Sequence, residues 1–162
     1  MSDYLIEDKL QDECGVVGVY LTPDSKSQMN AATMSYFGLY ALQHRGQESA
    51  GIAISDGNEI RVHKAMGLVA DVFQKEHLLE LNGLVSVGHV RYATAGGKGI
   101  ENAQPMVNGT KLGQIAVAHN GQLINYVQLR EMLEETGSTF NSSSDTEVIV
   151  KLIAKAYKKG LE

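Results

Sequence analysis

Tryptophan is absent from this chain, cysteine occurs once and proline twice. A single cysteine excludes an internal disulfide framework and any metal site built from several thiolates. Two prolines against seventeen glycines exclude a proline-rich disordered chain and point to tight turns and close backbone approaches. No basic tract breaks the net charge of −5, which argues against nucleic acid as a partner. No apolar run reaches the ~20 residues of a membrane span. The first residues also lack the basic-then-apolar layout of a secretory signal. A cytoplasmic protein without membrane contact is the expectation. Internal repeats and low-complexity tracts are missing as well.

What is present suits a globular domain. The chain has 162 residues, 43% hydrophobic and 20% charged, enough for one domain with a real core. Met1 to Glu13 mixes Tyr4, Leu5, Ile6 and Leu10 with acids and reads as a tail or a removable leader. Cys14 heads an apolar run to Leu21 that predicts a buried strand. Asn30 to Gln43 predicts a helix with Met34, Phe37 and Ala41 on one face, stopping at His44-Arg45-Gly46. Strands are predicted on either side of Asp56-Gly57-Asn58, a strong hairpin signal. A short helix is expected over 76–81 and a strand over 84–91. Tyr92 to Gly99 is a loop by composition. Asn108-Gly109 suggests a second hairpin leading into a strand over 114–119.

Two helices close the chain. Asn125 is the expected cap of the first, with Gly137 past its end. Ser144 opens the second and Glu147 suggests a capping box, with Ile149, Leu152, Ile153, Ala156 and Tyr157 as its apolar stripe. This order of elements predicts an α+β arrangement, sheets flanked by helices rather than a simple doubly wound fold.

Four places carry residues suited to chemistry. A lone cysteine on an apolar strand is usually a small buried hydrophobe. If Cys14 were the first residue of a matured chain, however, its own α-amine would be the nearby base that a thiol nucleophile needs. An α-amine titrates near ~8, which suits a proton shuttle at neutral pH. Arg91 ends a strand beside a glycine-rich loop, where a guanidinium is either a surface group or a grip for a carboxylate. Asn120-Gly121 ends another strand; the pair is either an ordinary turn or an oxyanion hole made of a side-chain amide and a backbone N–H. Asp145 sits in the first turn of the last helix, as a dipole-complementing acid or as a partner for a ligand ammonium. Lys98 among glycines lacks the full phosphate-loop pattern. The five histidines show no metal-ligand spacing, so no metal and no cofactor is expected in this segment.

Cys14-Gly15-Val16-Val17-Gly18, His44-Arg45-Gly46-Gln47-Glu48-Ser49-Ala50-Gly51, Gly88 to Gly96, His119-Asn120-Gly121 and Ser144-Asp145-Thr146-Glu147 occur in that order. Together they resemble the glutaminase domain of the amidophosphoribosyltransferases, over nearly the whole chain. The resemblance implies an N-terminal-nucleophile hydrolase, a four-layer α-β-β-α sandwich. It implies that Cys14 attacks the side-chain amide of glutamine to give a glutamyl thioester and ammonia. Asn120 and Gly121 match the oxyanion pair, Arg91 the holder of the α-carboxylate with Thr94 in support, and Asp145 the holder of the α-ammonium. Arg45 and Gly46 match a turn close to the cysteine and substrate. The loop over 92–99 matches one that closes over glutamine. Tyr92 and Ala95 stand where hexosamine-synthesising relatives carry Trp and His, which points to the purine branch.

The resemblance carries further expectations. Residues 1–13 would be a leader cleaved before Cys14, and 14–162 the N-terminal part of the glutaminase domain. The sandwich would lack C-terminal strands. A phosphoribosyltransferase domain, absent from these residues, would use the ammonia on phosphoribosyl pyrophosphate at the first step of purine synthesis, in a homo-oligomer when full length. A glutaminase domain of another amidotransferase and a non-catalytic fragment are the alternatives.

Overall fold

Four strands form one antiparallel sheet: β1 (Gly15–Tyr20), β2 (Ser49–Ser55), β3 (Ile60–Met66) and β4 (Val85–Arg91), in the spatial order β1-β4-β2-β3. The computed structural model describes residues 14–22, 24, 30–92 and 99–159. The expected leader, Thr94 and most of the 92–99 loop therefore lie outside the described residues. The β2–β3 hairpin forms where the sequence predicts it. Asp56 Oδ1 accepts from the N–H groups of Asn58 and Glu59 at 2.8 and 3.1 Å and closes the turn.

One face of this sheet carries α1 (Ala31–Ala41), capped by Asn30, whose side chain accepts from Ala32 and Thr33. The buried face of α1 is Ala31, Ala32, Ser35 and Leu39, whereas Phe37, expected inside, is 62% exposed. Small side chains let the helix lie close to the sheet. There the Ser35 and Ser86 hydroxyls bond at 2.7 Å, and Ser86 also donates to the Ala31 carbonyl. A hydrophobic periodicity count ranks such a face too low. Leu39, Ile52, Ile54 and Val90 fill the core with Val69, Val72 and Phe73, contributed in and just after α2 (Val69–Val72), a turn of helix not among the sequence-based expectations. The α3 helix (Lys75–Glu80) follows. Only one face of β1 is covered: Val16 and Tyr20 point to solvent, so this edge strand is half-buried rather than buried.

The second sheet is a hairpin of β5 (Met106–Thr110) and β6 (Gly113–Val117). Its turn is Lys111-Leu112, not Asn108-Gly109, which lies within β5. Extending β5 to Thr110 sets Met106 opposite Val117. Thr110 Oγ1 then donates to the Gly113 carbonyl and accepts from the Leu112 N–H, fastening the turn. Behind this sheet lie α4 (Tyr126–Glu135) and α5 (Asp145–Lys159), with α5 packed on β5 and β6. The layers run α1, first sheet, second sheet, α5. At Gly51 of β2 an added Cβ would come within 2.1 Å of the Gln104 carbonyl oxygen, so only glycine admits this approach.

The α5 interior also departs from expectation. Thr146, Val148 and Val150 are buried, while Ile153 and Tyr157 of the predicted stripe are exposed. Glu147 does not close a capping box. Its carboxylate reaches back to the N–H groups of Asn141 and Ser142 and the Ser142 hydroxyl. Burial would raise the Glu147 pKa, but these hydrogen bonds, with Lys151 nearby, hold it below the usual carboxylate value. Asn125 precedes α4 as expected but makes no side-chain cap bond. Among the described residues, no helix is long and apolar enough to cross a membrane.

Candidate active site

Antiparallel register gathers three strand ends at one rim of the first sheet. Gly15, the first residue of β1, lies opposite Val90, and Arg91, the last of β4, lies opposite Ser49, the first of β2. Cys14, immediately before β1, therefore arrives beside the end of β4. Its Sγ accepts from the Tyr92 N–H at 3.4 Å.

Two other segments fix the Cys14 backbone. Arg45 Nε donates to the Cys14 carbonyl oxygen at 3.4 Å, from the short 3-10 turn Gln43–Arg45 after α1. Asn120 Nδ2 donates to the same oxygen at 2.5 Å, from the stretch that follows β6. Arg45 and Asn120 thus both contact Cys14 directly. The turn that carries Arg45 is held by Gln43, whose amide donates to the Gly46 carbonyl and accepts from the Val69 N–H, both at 2.5 Å. Gly46 itself lies against β4: a Cβ there would come within 2.6 to 2.8 Å of the Val90 carbonyl group and the Arg91 nitrogen.

Arg91 is nearly enclosed and forms an ion pair with Glu48, Nη1 to Oε2 at 2.9 Å. Gly121 follows Asn120 with φ +152° and packs against the His119 ring. Asp145, at the start of α5, accepts from the Leu123 N–H at 2.6 Å, and His119 Nδ1 lies 3.9 Å from the same oxygen. The loop that carries Asn120 and Gly121 is therefore tied to Asp145 at Leu123, with the His119 ring close by. The His119 N–H donates to Gln104 Oε1 at 2.7 Å, which anchors that loop to the approach of β5.

His89 is fully buried beneath this rim, one residue before Val90 on β4. Burial pushes its pKa down to about 4. The His119 backbone favours the charged ring, but neither ring nitrogen makes a well-formed hydrogen bond, and the charges of Arg91 and His119 act with burial. The ring is neutral at neutral pH and is a packing residue.

The structure thus brings five expected positions, Cys14, Arg45, Arg91, Asn120 and Gly121, to one region, and Asp145 joins them through His119 and Leu123. Thr94 lies outside the described residues. Glu48, Gln104, His119 and the Tyr92 N–H were given no role from sequence. Glu48 and His119 lay inside quoted motifs, and an acid opening an apolar strand was the available signal. No group of three metal-ligating side chains is found among the described residues.

Residues 74–162 match the family model described as a glutamine amidotransferase domain. The chain is 52% identical over 151 residues to an amidophosphoribosyltransferase of Methanothermobacter thermautotrophicus, covering 93% of this chain and 31% of that protein. It is 48% identical over 153 residues to the chloroplastic amidophosphoribosyltransferase 3 of Arabidopsis thaliana, covering 94% of this chain and 28% of that one. Among solved structures it is similar to the glutamine phosphoribosylpyrophosphate amidotransferase of B. subtilis complexed with ADP and GMP. The TM-score is 0.76 with 42% identity, over 91% of this chain and 30% of that one. The chain spans about three-tenths of the length of these relatives. Its α-β-β-α layering is the N-terminal-nucleophile hydrolase fold.

Proposed function

The chain belongs to the glutamine amidotransferase domain family, and from that premise we propose that it hydrolyses glutamine at Cys14 and supplies ammonia to an amidophosphoribosyltransferase reaction. The observation that carries this reading is the meeting of Cys14, Arg45 and Asn120 at the rim where Arg91 ends its strand.

In this reading residues 1–13 are removed and Cys14 gains a free α-amine. That amine takes the thiol proton, and the sulfur attacks the side-chain amide carbon of glutamine. Asn120 Nδ2 and the Gly121 N–H stabilise the oxygen that becomes negative. The amine then gives its proton to the leaving nitrogen, and ammonia departs from a glutamyl thioester. Water adds to the thioester carbon and releases glutamate and the thiol. Arg91, with Thr94, holds the α-carboxylate, and Asp145 the α-ammonium. The 92–99 loop shields the thioester from premature contact with water.

Ammonia would pass to phosphoribosyl pyrophosphate, displacing pyrophosphate to give phosphoribosylamine, in the part of the relatives that this chain does not span. That those relatives are amidophosphoribosyltransferases supports this acceptor. The remaining expectations, a homo-oligomer in the cytoplasm, stand as part of the same proposal.

The test is glutamate and ammonia production by the full-length protein and its Cys14→Ala variant. Glutamine turnover that disappears in the variant supports the reading, and turnover that persists overturns it. A rise in ammonia use on adding phosphoribosyl pyrophosphate, rather than another acceptor, tests the acceptor assignment.

A further inference from the structure

Glu48 carries a charge that the mechanism leaves unused. Its side chain is 11% exposed, and neither carboxylate oxygen accepts a well-formed hydrogen bond. Its only ion pair among the described residues is the one with Arg91 at 2.9 Å. A buried carboxylate without hydrogen bonds is costly, and a lone ion pair offsets that cost poorly. Stability alone gives no reason for an acid at this position.

The backbone around the pair is hydrogen-bonded on both sides. Glu48 N–H donates to the Arg91 carbonyl at 2.9 Å, and Glu48's own carbonyl accepts from the Gly67 N–H at 2.9 Å. The next residue, Ser49, lies opposite Arg91 in the sheet. With both main chains held in register, the ion pair constrains where the long arginine side chain ends. A guanidinium is a planar fork of five donors, so a carboxylate 2.9 Å from Nη1 restricts the positions that the fork can take.

Resting on the glutamine reading above, we propose that Glu48 is a positioning residue that aims the Arg91 guanidinium at the α-carboxylate of the substrate. It acts only through Arg91. Ordering Arg91 before substrate arrives removes part of the entropy otherwise lost on binding. The effect falls on recognition of the amino-acid end and not on the thiol.

The experiment compares Glu48→Gln and Glu48→Asp in the full-length protein. Glu48→Gln is expected to raise the KM for glutamine about tenfold or more while kcat changes by less than about threefold, because an oriented charge-assisted contact is lost in ground and transition states alike. Glu48→Asp, which keeps the charge, recovers part of the KM. Alkylation of Cys14 by iodoacetamide, which has no α-carboxylate, proceeds at the parent rate in both. An independent arm needs no glutamine: phenylglyoxal modifies Arg91 several-fold faster in Glu48→Gln than in the parent, read by peptide mass spectrometry. Unchanged Arg91 labelling overturns the pairing. Faster labelling with an unchanged KM, or a fall in kcat with KM held, overturns the positioning role. A parent protein that does not turn over glutamine overturns the function reading itself, and this proposal with it.

Discussion

Asn120 Nδ2 donates to the carbonyl oxygen of Cys14 at 2.5 Å, joining two residues 106 positions apart in the chain. The contact crosses from the end of the second sheet to the first residue before β1. It therefore holds the residue of the proposed oxyanion donor against the backbone of the proposed nucleophile. Preorganised donors of this kind cost no reorganisation during reaction, which is why they contribute strongly to catalysis.

Asn120→Ala is expected to lower kcat by ~10²- to 10³-fold, about 2.7–4 kcal/mol in barrier, with glutamine binding retained. Steady-state kinetics with a binding measurement on the Cys14→Ala background checks it. A variant that turns over at the parent rate removes Asn120 from the oxyanion role.

Asp145→Asn separates charge from shape. The amide oxygen still accepts from the Leu123 N–H, so the loop after β6 keeps its anchor. The negative charge offered to the substrate ammonium, which also faces His119, is lost. The KM for glutamine is expected to rise roughly 10- to 100-fold, the size of one charge-assisted hydrogen bond. An unchanged KM would reduce Asp145 to a helix-start acid.

Gly46→Ala drives a methyl group into the β4 backbone at Val90 and Arg91. Neither neighbour is a flexible side chain, so the clash moves the strand end that bears Arg91. A loss of about 1–3 kcal/mol in stability is expected, as for other overpacked sites, together with reduced glutamine turnover. Thermal or denaturant unfolding of the variant gives the first quantity and a glutaminase assay the second.

Acid stability carries the signature of His89. Its pKa is 6.5 when unfolded and about 4 when folded, so between these values the unfolded chain binds more protons. Stability therefore rises with pH through that window and falls on acidification, by on the order of 3 kcal/mol. Glu147 acts lower, because its folded pKa lies below 4.5 and its contribution is lost only as the pH falls past that point. Denaturant unfolding across the window is expected to show the slope in the parent and a flattened one in His89→Gln.

Local chemistry made much of this fold legible. The Asp56-Gly57-Asn58 turn, the start of the helix at Asn30 and the strand that ends at Arg91 all lie where short-range signals put them. Where the reading failed, a longer-range contact had overridden the local signal. Asn108-Gly109 is the better turn pair, yet pairing of Met106 with Val117 carries β5 past it. The helix after Asn30 buries alanine and serine, where Ser35 and Ser86 bond across the interface, and leaves Phe37 exposed. Glu147 serves the Asn141-Ser142 loop instead of its own helix start.

The site was legible as a set of motifs, but their meeting was not. Cys14, Arg45 and Asn120 are widely separated in sequence, and only the sheet register and the turn at Gly46 bring them together. Glu48 escaped notice because an acid before an apolar strand looks like any solvated charge until its partner is seen.

The most direct test of the account joins two readings on one molecule. The full-length protein is treated with a glutamine-like electrophile and its N-terminal peptide is analysed by mass. The account predicts a chain that begins at Cys14 and carries a single adduct on that sulfur. A protein that retains Met1 and still hydrolyses glutamine, or an adduct on any other residue, would contradict it.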